Sequence, residues 1–264
     1  MPIITISRGS YSRGKEVAEE LAQKLGYEII SRDILLEASE TFNIPEIKLI
    51  RAIHDAPSIL ERFTYGKERY VAYIQSTLLK HVQKDNVVYH GLAGHYFLRG
   101  ISHVIKVRIL ADLEDRVQEE MRRENISADE ARYILKKDDD ERRRWGIQLF
   151  GVDTWDPMLY DMILHIKTLT VDDAVDLISH AAKLPHFQAT PESQRLIDDL
   201  ALSSGVEAAL VEEIPSAKVE AKDGKVFVSI KGNLAQEEET IEMVRRIAHK
   251  VAGIDVKVEY QLRP

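Results

Sequence analysis

The first half of the chain alternates short runs of apolar, β-branched residues with longer stretches in which apolar residues recur at helical spacing. The short runs predict strands at residues 3–6, 28–30, 86–90, 103–110 and 162–166. Val17, Leu21 and Leu25 mark one helix, and a longer helix is predicted between Val71 and Val82. This alternation predicts an α/β fold, a three-layer domain in which helices cover both faces of a mostly parallel five-stranded sheet.

The pattern changes after the last of these strands and its following helix. Pro185 and Pro191 lie in a short aperiodic stretch, which predicts a linker at residues 184–191. We therefore expect a first domain at residues 1–183 and a second, smaller domain at residues 192–264.

The second domain begins with a helix-prone segment and continues with two alternating runs on either side of Asp223 and Gly224. This pair is typical of a type I′ hairpin turn, because both of its central positions need positive φ. An amphipathic helix that ends at Gly253 and a last strand follow. The order predicts a small α+β (αββαβ) unit.

A glycine-rich loop lies between the first predicted strand and the first predicted helix, with the P-loop spacing Gly-x4-Gly-Lys. Its backbone N–H groups and the helix N-terminus would face a phosphate chain, and Lys15 would add positive charge at the β- and γ-phosphates. The sequence therefore predicts a P-loop domain that binds ATP, with an ordinary loop as the alternative. The predicted phosphate-binding residues are Gly9, Ser10, Tyr11, Ser12, Arg13, Gly14, Lys15 and Glu16.

Glu16 occupies the position at which the usual motif has Ser or Thr as a Mg²⁺ ligand. A carboxylate is also a hard oxygen ligand, so Glu16 is the candidate residue for holding Mg²⁺, directly or through water. The alternative is that Glu16 only stabilises the first helical turn through the helix dipole.

Composition narrows the possible classes of protein. The chain has 264 residues and no cysteine, which excludes disulfides, zinc-thiolate sites and cysteine nucleophiles. The formal net charge of −8 argues against general binding to nucleic acid or anionic lipid. Neither a signal peptide nor a run of about 20 apolar residues is present, so we expect a soluble cytoplasmic protein.

Residues 4–22 and 26–35, which include the P-loop, resemble the cytidylate kinase-like branch of the nucleoside monophosphate kinases. The resemblance continues at residues 87–94, 107–116, 137–145 and 160–164. It implies phosphoryl transfer from ATP to CMP or dCMP with Mg²⁺, under a mobile lid that carries arginines. In this branch Gly-Lys or Gly-Arg is commonly followed by Glu, so the resemblance makes Glu16 less unusual.

The lid of such a kinase would be the arginine-rich stretch of residues 136–144. Arginine suits this role because its planar guanidinium can bind a phosphate with two parallel hydrogen bonds. A solvated helix face, with charges paired to one another, is the alternative interpretation. The predicted catalytic residues are Lys15, Arg142, Arg143 and Arg144, and further lid candidates upstream are Arg116, Arg122 and Arg123.

The acceptor nucleotide enters such kinases after the second strand. There Arg32 would hold the acceptor phosphate and Asp33 would bind the base or Mg²⁺, although Asp33 as a helix cap is the alternative. Gly91 and Gly94 follow another predicted strand, at the edge where open α/β sheets bind ligands. We therefore predict that Arg32, Asp33, Gly91 and Gly94 bind the acceptor.

Two histidines, His90 and His95, flank these glycines and are candidates for lining the same site. An aspartate in place of His90 would have been a stronger magnesium signal, and a purely structural histidine is the alternative. The nine histidines of the chain lack the spacing of metal ligands, so we predict no transition metal.

Residues 195–262 resemble a BON domain, mainly through residues 222–232 and 251–258. The resemblance implies binding to phospholipid or another hydrophobic surface. Residues 190–264 carry ten basic and fourteen acidic side chains, however, and this net negative charge argues against a membrane partner. We expect a regulatory or oligomerising unit, which binds an effector or another copy of the chain.

Two functions follow from these features. The first is an ATP-dependent nucleoside monophosphate kinase for CMP or dCMP, favoured by Lys15 and the arginine-rich stretch. The second is a nucleotide sensor with little turnover, favoured by Glu16, by His90 and by the second domain. In that case the BON-like unit would transmit the nucleotide-bound state.

Overall fold

The structure is a computed structural model, and it describes residues 1–10, 12–31, 33–44, 46, 48–50, 66–91, 93–232 and 236–262. Its larger sheet has five strands in the order β2-β3-β1-β4-β5, and all of its strand pairs are parallel. The strands are β1 (Ile3–Arg8), β2 (Glu28–Ile30), β3 (Val87–His90), β4 (Val104–Ala111) and β5 (Met162–Ile166). The predicted α/β fold and its five strands are confirmed.

Helices cover both faces of this sheet. Ile4 pairs with Val88 on one side and with Ile105 on the other, which places β1 in the middle. Within its described residues, the α-helices of this part are α1 (Gly14–Leu25), α2 (Asp33–Phe42), α3 (Gly66–Val82), α4 (Gly94–Phe97), α5 (Leu113–Glu124), α6 (Ala128–Phe150) and α7 (Val171–Ala181).

Two apolar clusters lie on opposite faces of the sheet. Ile3 belongs to a cluster with α2 and α3, whereas its neighbour Ile4 belongs to a cluster with α1 and α7. Successive side chains of a strand point to opposite faces, so a strand buried on both sides has consecutive apolar residues. This explains why the adjacent residues Ile3 and Ile4 of β1 are both apolar and both fully buried.

The C-terminal unit consists of α8 (Pro191–Leu210), β6 (Lys218–Lys222), β7 (Lys225–Gly232), α9 (Glu237–Ala252) and β8 (Val256–Leu262). Its sheet has β7 in the centre, antiparallel to β6 and parallel to β8. Asp223 and Gly224 have φ of 52° and 73°, and both backbone N–H groups donate to Asp199 at 2.8 Å. The predicted hairpin and the order αββαβ are confirmed.

Helix α8 packs on both parts of the molecule. Ile197 and Ala201 belong to the apolar cluster that contains α2 and α3, whereas Val206 and Leu210 belong to the cluster of the C-terminal sheet. In the predicted linker, residues Pro185–Phe187 form a short 3-10 helix. Thr190 caps α8 in a reciprocal pair of hydrogen bonds with Ser193. The domain boundaries themselves stay a prediction.

Candidate active site

The predicted P-loop connects the carboxyl end of β1 to the first residue of α1. Ser12 is buried, and its hydroxyl donates to the carbonyl of Gly9 at 3.0 Å, which closes the loop. Arg13 adopts φ 65° and ψ 9°, a left-handed conformation that costs a non-glycine residue about 1–2 kcal/mol. The loop thus turns sharply before the helix, as a phosphate-binding loop requires. Tyr11, which was predicted to bind phosphate, lies outside the described residues.

An open cavity of about 1070 Å³ lies beside this loop. Its lining includes the predicted phosphate-binding residues Ser10, Arg13, Gly14, Lys15 and Glu16. We name it the outer cavity. It lies at the carboxyl ends of the parallel strands, which is the edge where open α/β sheets bind ligands.

The charged side chains at the start of α1 are exposed and form ion pairs with close neighbours on the same helix. Lys15 Nζ lies 3.5 Å from the Glu19 carboxylate, and its side chain is 63% exposed. Arg13 pairs with the Glu16 carboxylate at 2.7 Å. Exposed pairs of this kind contribute only about 0–1 kcal/mol. Lys15 and Glu16 can therefore exchange these partners for a nucleotide at little cost.

The residues on the outer cavity fit a Mg²⁺ ion that is held mainly by nucleotide phosphates. Glu16 supplies one carboxylate, whereas no group of three or more His, Asp or Glu side chains in the described ranges is arranged to hold a metal. Magnesium commonly takes only one or two protein carboxylates and completes its shell with phosphate oxygens and water. Glu16 is the residue that would hold it.

Helix α6 brings one of the three predicted lid arginines to the P-loop. Arg142 Nη2 donates to the Ser10 hydroxyl at 2.7 Å, and that hydroxyl donates to Asp138 at 3.2 Å. Burial lowers the pKa of Arg142. Arg143 instead pairs with Asp153 at 2.7 Å and lies over the ring of Trp155, outside the P-loop.

Arg144, the third predicted lid arginine, is more than half exposed and pairs with Glu141 at 2.9 Å. The structure therefore brings Arg142 to the P-loop and directs Arg143 and Arg144 elsewhere. Arg122 and Arg123, which were candidates upstream, both line the outer cavity and pair with Glu119.

Arg116 joins the P-loop to α6. Its Nε donates to the Ser10 carbonyl at 2.7 Å, and its two terminal nitrogens donate to the Asp139 carboxylate at 2.8 and 3.1 Å. A Cβ atom at Gly9 would lie only 3.1 Å from the Arg116 guanidinium carbon. Gly9 therefore permits the guanidinium to pack directly against the loop.

Asp138 and Asp139 are site residues that the sequence reasoning did not single out. Both precede the arginines on α6 and bind groups of the P-loop network, Asp138 through Ser10 and Asp139 through Arg116. The sequence did contain a signal, because Asp138 and Asp139 precede Arg142 by four and three residues, the spacing of side chains on one helix face.

On the acceptor side, Asp33 is the first residue of α2 and follows β2 closely. Burial, together with the charges of Arg8 and Lys15, lowers the pKa of His90 to about 4, and the charge of Asp33 acts in the opposite sense. Asp33 and Lys15 are thus both close enough to His90 to affect its pKa. Arg32 lies outside the described residues.

Gly91 and Gly94 both contact the ring of Tyr89, which is buried. A Cβ at Gly94 would come within 2.5 Å of a Tyr89 ring carbon. Packing against Tyr89 is therefore sufficient to explain why these two positions lack side chains, whether or not they also contact an acceptor.

A second, smaller cavity of about 40 Å³ lies on the inner side of the P-loop, and we name it the inner cavity. Gly9, Gly91, His95 and Arg142 are among its lining residues. Within the described part of the chain, His95 Nε2 is buried without a hydrogen-bond partner, and burial lowers the pKa of His95 to about 3. Arg8 and Arg142 each line both cavities, so two arginine side chains lie between them.

Comparison with known proteins matches residues 3–168 to the cytidylate kinase-like family. The chain is 25% identical over 177 residues to a cytidylate kinase of Sulfolobus acidocaldarius, covering 66% of this chain and 91% of that one. It is 24% identical over 177 residues to a cytidylate kinase of Pyrobaculum aerophilum, covering 66% of this chain and 89% of that one.

Among solved structures, an uncharacterized protein from Eubacterium ventriosum has a similar fold. Its TM-score is 0.53 at 22% identity, over 69% of this chain and 98% of that one. The family match ends at residue 168, before the C-terminal unit, so the resemblance of that unit to a BON domain stays a prediction. In the described ranges, no helix is both long enough and apolar enough to cross a bilayer.

Proposed function

The chain belongs to the cytidylate kinase-like family, and we propose that it is an ATP-dependent nucleoside monophosphate kinase that phosphorylates CMP or dCMP. The observation that carries this proposal is the position of Arg142, which lines both the outer cavity beside Lys15 and the inner cavity beside Gly91. A guanidinium at that point can contact a phosphoryl group as it passes from donor to acceptor.

In this proposal the outer cavity takes ATP. The backbone N–H groups of the P-loop and the N-terminus of α1 would face the phosphates, and Lys15 would exchange Glu19 for their oxygens. Mg²⁺, when bound with ATP, supplies further positive charge to the phosphates, and Glu16 would hold it. Positioning and positive charge supply most of the rate of phosphoryl transfer, because the reaction needs little covalent help from the protein.

The acceptor would enter on the side of the inner cavity. Asp33, Gly91 and Gly94 remain its proposed contacts in the described part of the chain, together with Arg32. The proposed acceptor is CMP or dCMP because the two curated relatives are cytidylate kinases. The lining of the inner cavity is consistent with a polar ligand, since it includes Arg108 and Arg142 beside the neutral ring of His95.

The alternative function is a nucleotide sensor, and the Arg13–Glu16 pair is the observation that favours it. That pair gives Glu16 a partner other than a metal ion. Both functions require ATP to bind at the P-loop, but only the kinase requires turnover with an acceptor.

The test is ADP release by the purified full chain with ATP and Mg²⁺, with CMP, dCMP, UMP, AMP and GMP as acceptors. Turnover with CMP or dCMP above the other acceptors is expected. Saturable ATP binding without turnover would favour the sensor instead, and a preference for AMP or GMP would contradict the proposed substrate.

A further inference from the structure

We propose that Glu212 is a positioning residue for the acceptor side of the kinase, through which the C-terminal unit holds α3 and, by way of α3, the acceptor-side helix α2. The inference rests on the proposed function, because it assumes that the acceptor binds near the start of α2. It gives the C-terminal unit a role within its own chain.

Glu212 binds two side chains that lie one turn apart on α3. One carboxylate oxygen accepts from the Tyr73 hydroxyl at 2.7 Å, and the other accepts from Arg69 at 2.8 Å. Arg69 is itself fixed, since it also donates to the Tyr70 hydroxyl at 3.0 Å. Hydrogen bonds to an ionised carboxylate are stronger than neutral ones, so Glu212 restrains α3 at two points.

The restraint continues from α3 to α2. The Tyr73 ring stacks on Phe42, the last residue of α2, with ring centroids 4.2 Å apart. Tyr73 is buried, and burial raises its pKa, so the hydroxyl keeps its proton and donates to Glu212. A second contact joins the same helices, since His81 lies 2.6 Å from the Glu37 carboxylate.

Helix α2 leads back to the acceptor side, because Asp33 is its first residue and acts electrostatically on His90. Its ten residues form one rigid segment of about 15 Å. A shift of Tyr73 would displace the far end of this segment and therefore tilt the end that carries Asp33.

Glu212 is tied to the C-terminal unit by the residues around it. Leu210 and Ile214 pack in the apolar cluster of the C-terminal sheet with Val228 and Val244. Close packing transmits small displacements, so Glu212 moves with that sheet. A ligand or a second copy of the chain that shifts the C-terminal unit would therefore act on α3 through this carboxylate.

The test compares Glu212→Ala, Tyr73→Phe and the double variant in the full-length chain. We expect Glu212→Ala to raise the KM for the acceptor about tenfold, with the KM for ATP changed by less than about twofold. Because Tyr73 is the next residue in the chain of contacts, the double variant should be no worse than Glu212→Ala. Glu212→Gln, which keeps an acceptor oxygen for Tyr73, should restore part of the loss.

Asp198→Asn is the matched control. Asp198 lies on α8, the helix that ends just before Glu212, and accepts from Gln83, which follows α3 rather than stacking on Phe42, at 3.1 Å. It should leave the KM for the acceptor unchanged. An equal rise in the control, an unchanged acceptor KM in Glu212→Ala, or an equal rise in the KM for ATP would each overturn the inference.

Amide hydrogen exchange separates this inference from the proposed function. In Glu212→Ala the amides of α2 and α3 should exchange faster than in the wild type, while those of α1 and α7 should not change. If the wild type phosphorylates no acceptor, the proposed function fails, and CMP affinity by calorimetry replaces KM in the comparison. Unchanged exchange in α2 and α3, or an absence of CMP binding, would overturn the inference independently of turnover.

Discussion

Replacing Arg142 with alanine removes one of the two guanidinium groups, those of Arg8 and Arg142, that line both cavities. Arg143 is its matched control, because it is the next residue on the same helix but pairs with Asp153, away from the P-loop. Both substitutions remove one positive charge from α6. They differ in position, so a difference in activity between them reports on the contact of Arg142 with the phosphoryl group.

The size of the effect follows from the charge and its burial. The Arg142 side chain is only 16% exposed, so water screens it weakly. Two opposite unit charges about 4 Å apart attract by about 4 kcal/mol at an effective dielectric constant of about 20. Since about 1.4 kcal/mol corresponds to a factor of ten in rate, Arg142→Ala should lower kcat about a thousandfold. Arg143 is 43% exposed, and its removal should change kcat by less than about threefold.

The assay is steady-state ADP release with the preferred acceptor, at saturating ATP and Mg²⁺. Arg142→Lys keeps the charge but loses the planar pair of donors, so its kcat should lie between those of the wild type and Arg142→Ala. Thermal unfolding of each variant excludes a loss of folded protein. Activity of Arg142→Ala within a few-fold of the wild type, or an equal loss in Arg143→Ala, would refute the assigned role of Arg142.

Three further predictions follow from the site and its surroundings. Lys15→Ala should abolish ATP-dependent turnover with an unchanged circular dichroism spectrum, and unchanged turnover would remove Lys15 from the mechanism. Gly146→Ala should lower the free energy of unfolding, measured in urea, by about 1–3 kcal/mol. The new Cβ would collide with the Tyr96 hydroxyl and lie 3.0 Å from the Val152 carbonyl oxygen. An unchanged free energy of unfolding would show that α6 can shift to make room. Burial lowers the pKa of His95 to about 3 in the folded protein. As the pH drops below about 6.5, His95 therefore takes up a proton in the unfolded chain but not in the folded one, and the free energy of unfolding should fall. Between pH 6.5 and 5 the free energy of unfolding should change less steeply with pH in His95→Gln than in the wild type, by up to about 1.4 kcal/mol per pH unit. Equal slopes in the two proteins would contradict the lowered pKa of His95.

The strands, the hairpin and the helix ends could be predicted because each depends on neighbours in the sequence. Asp223 and Gly224 take the positive φ that their turn needs, and Gly253 ends α9 with φ 66°. The Ser127 hydroxyl accepts from the backbone N–H of Glu130 at the start of α6, a cap that the local spacing Ser-x-x-Glu indicates. Such features need no knowledge of the rest of the fold.

The directions in which the three lid arginines point depend instead on how α6 is rotated about its own axis. Successive residues of a helix point about 100° apart, so only one of three adjacent arginines can face the P-loop. Leu135 and Trp145 are buried on α6, and Arg142 lies seven residues after the first and three before the second. The apolar positions therefore fix the rotation, and they would have distinguished Arg142 from Arg143 had they been read together with the charges.

The contact of the C-terminal unit with α3 could not be predicted from the sequence. Glu212 and Tyr73 are 139 positions apart, and no local pattern relates them. Pro185 and Pro191 predicted a linker at residues 184–191. The packing of Ile197 in the first apolar cluster is a long-range feature that such local signals do not report.

Arg116 and Arg142 have different roles in the proposed reaction, although both contact Ser10. Arg116 holds the loop in place, since it donates one hydrogen bond to the Ser10 carbonyl and one to each carboxylate oxygen of Asp139. Arg142 approaches Asp138 only at 4.0 Å and contacts Asp139 at 3.4 Å, so its acidic partners bind it more loosely. These carboxylates offset the cost of burying its charge before nucleotide binds. Because a phosphate oxygen carries the same sign of charge, Arg142 can exchange the aspartates for it while Arg116 stays in place.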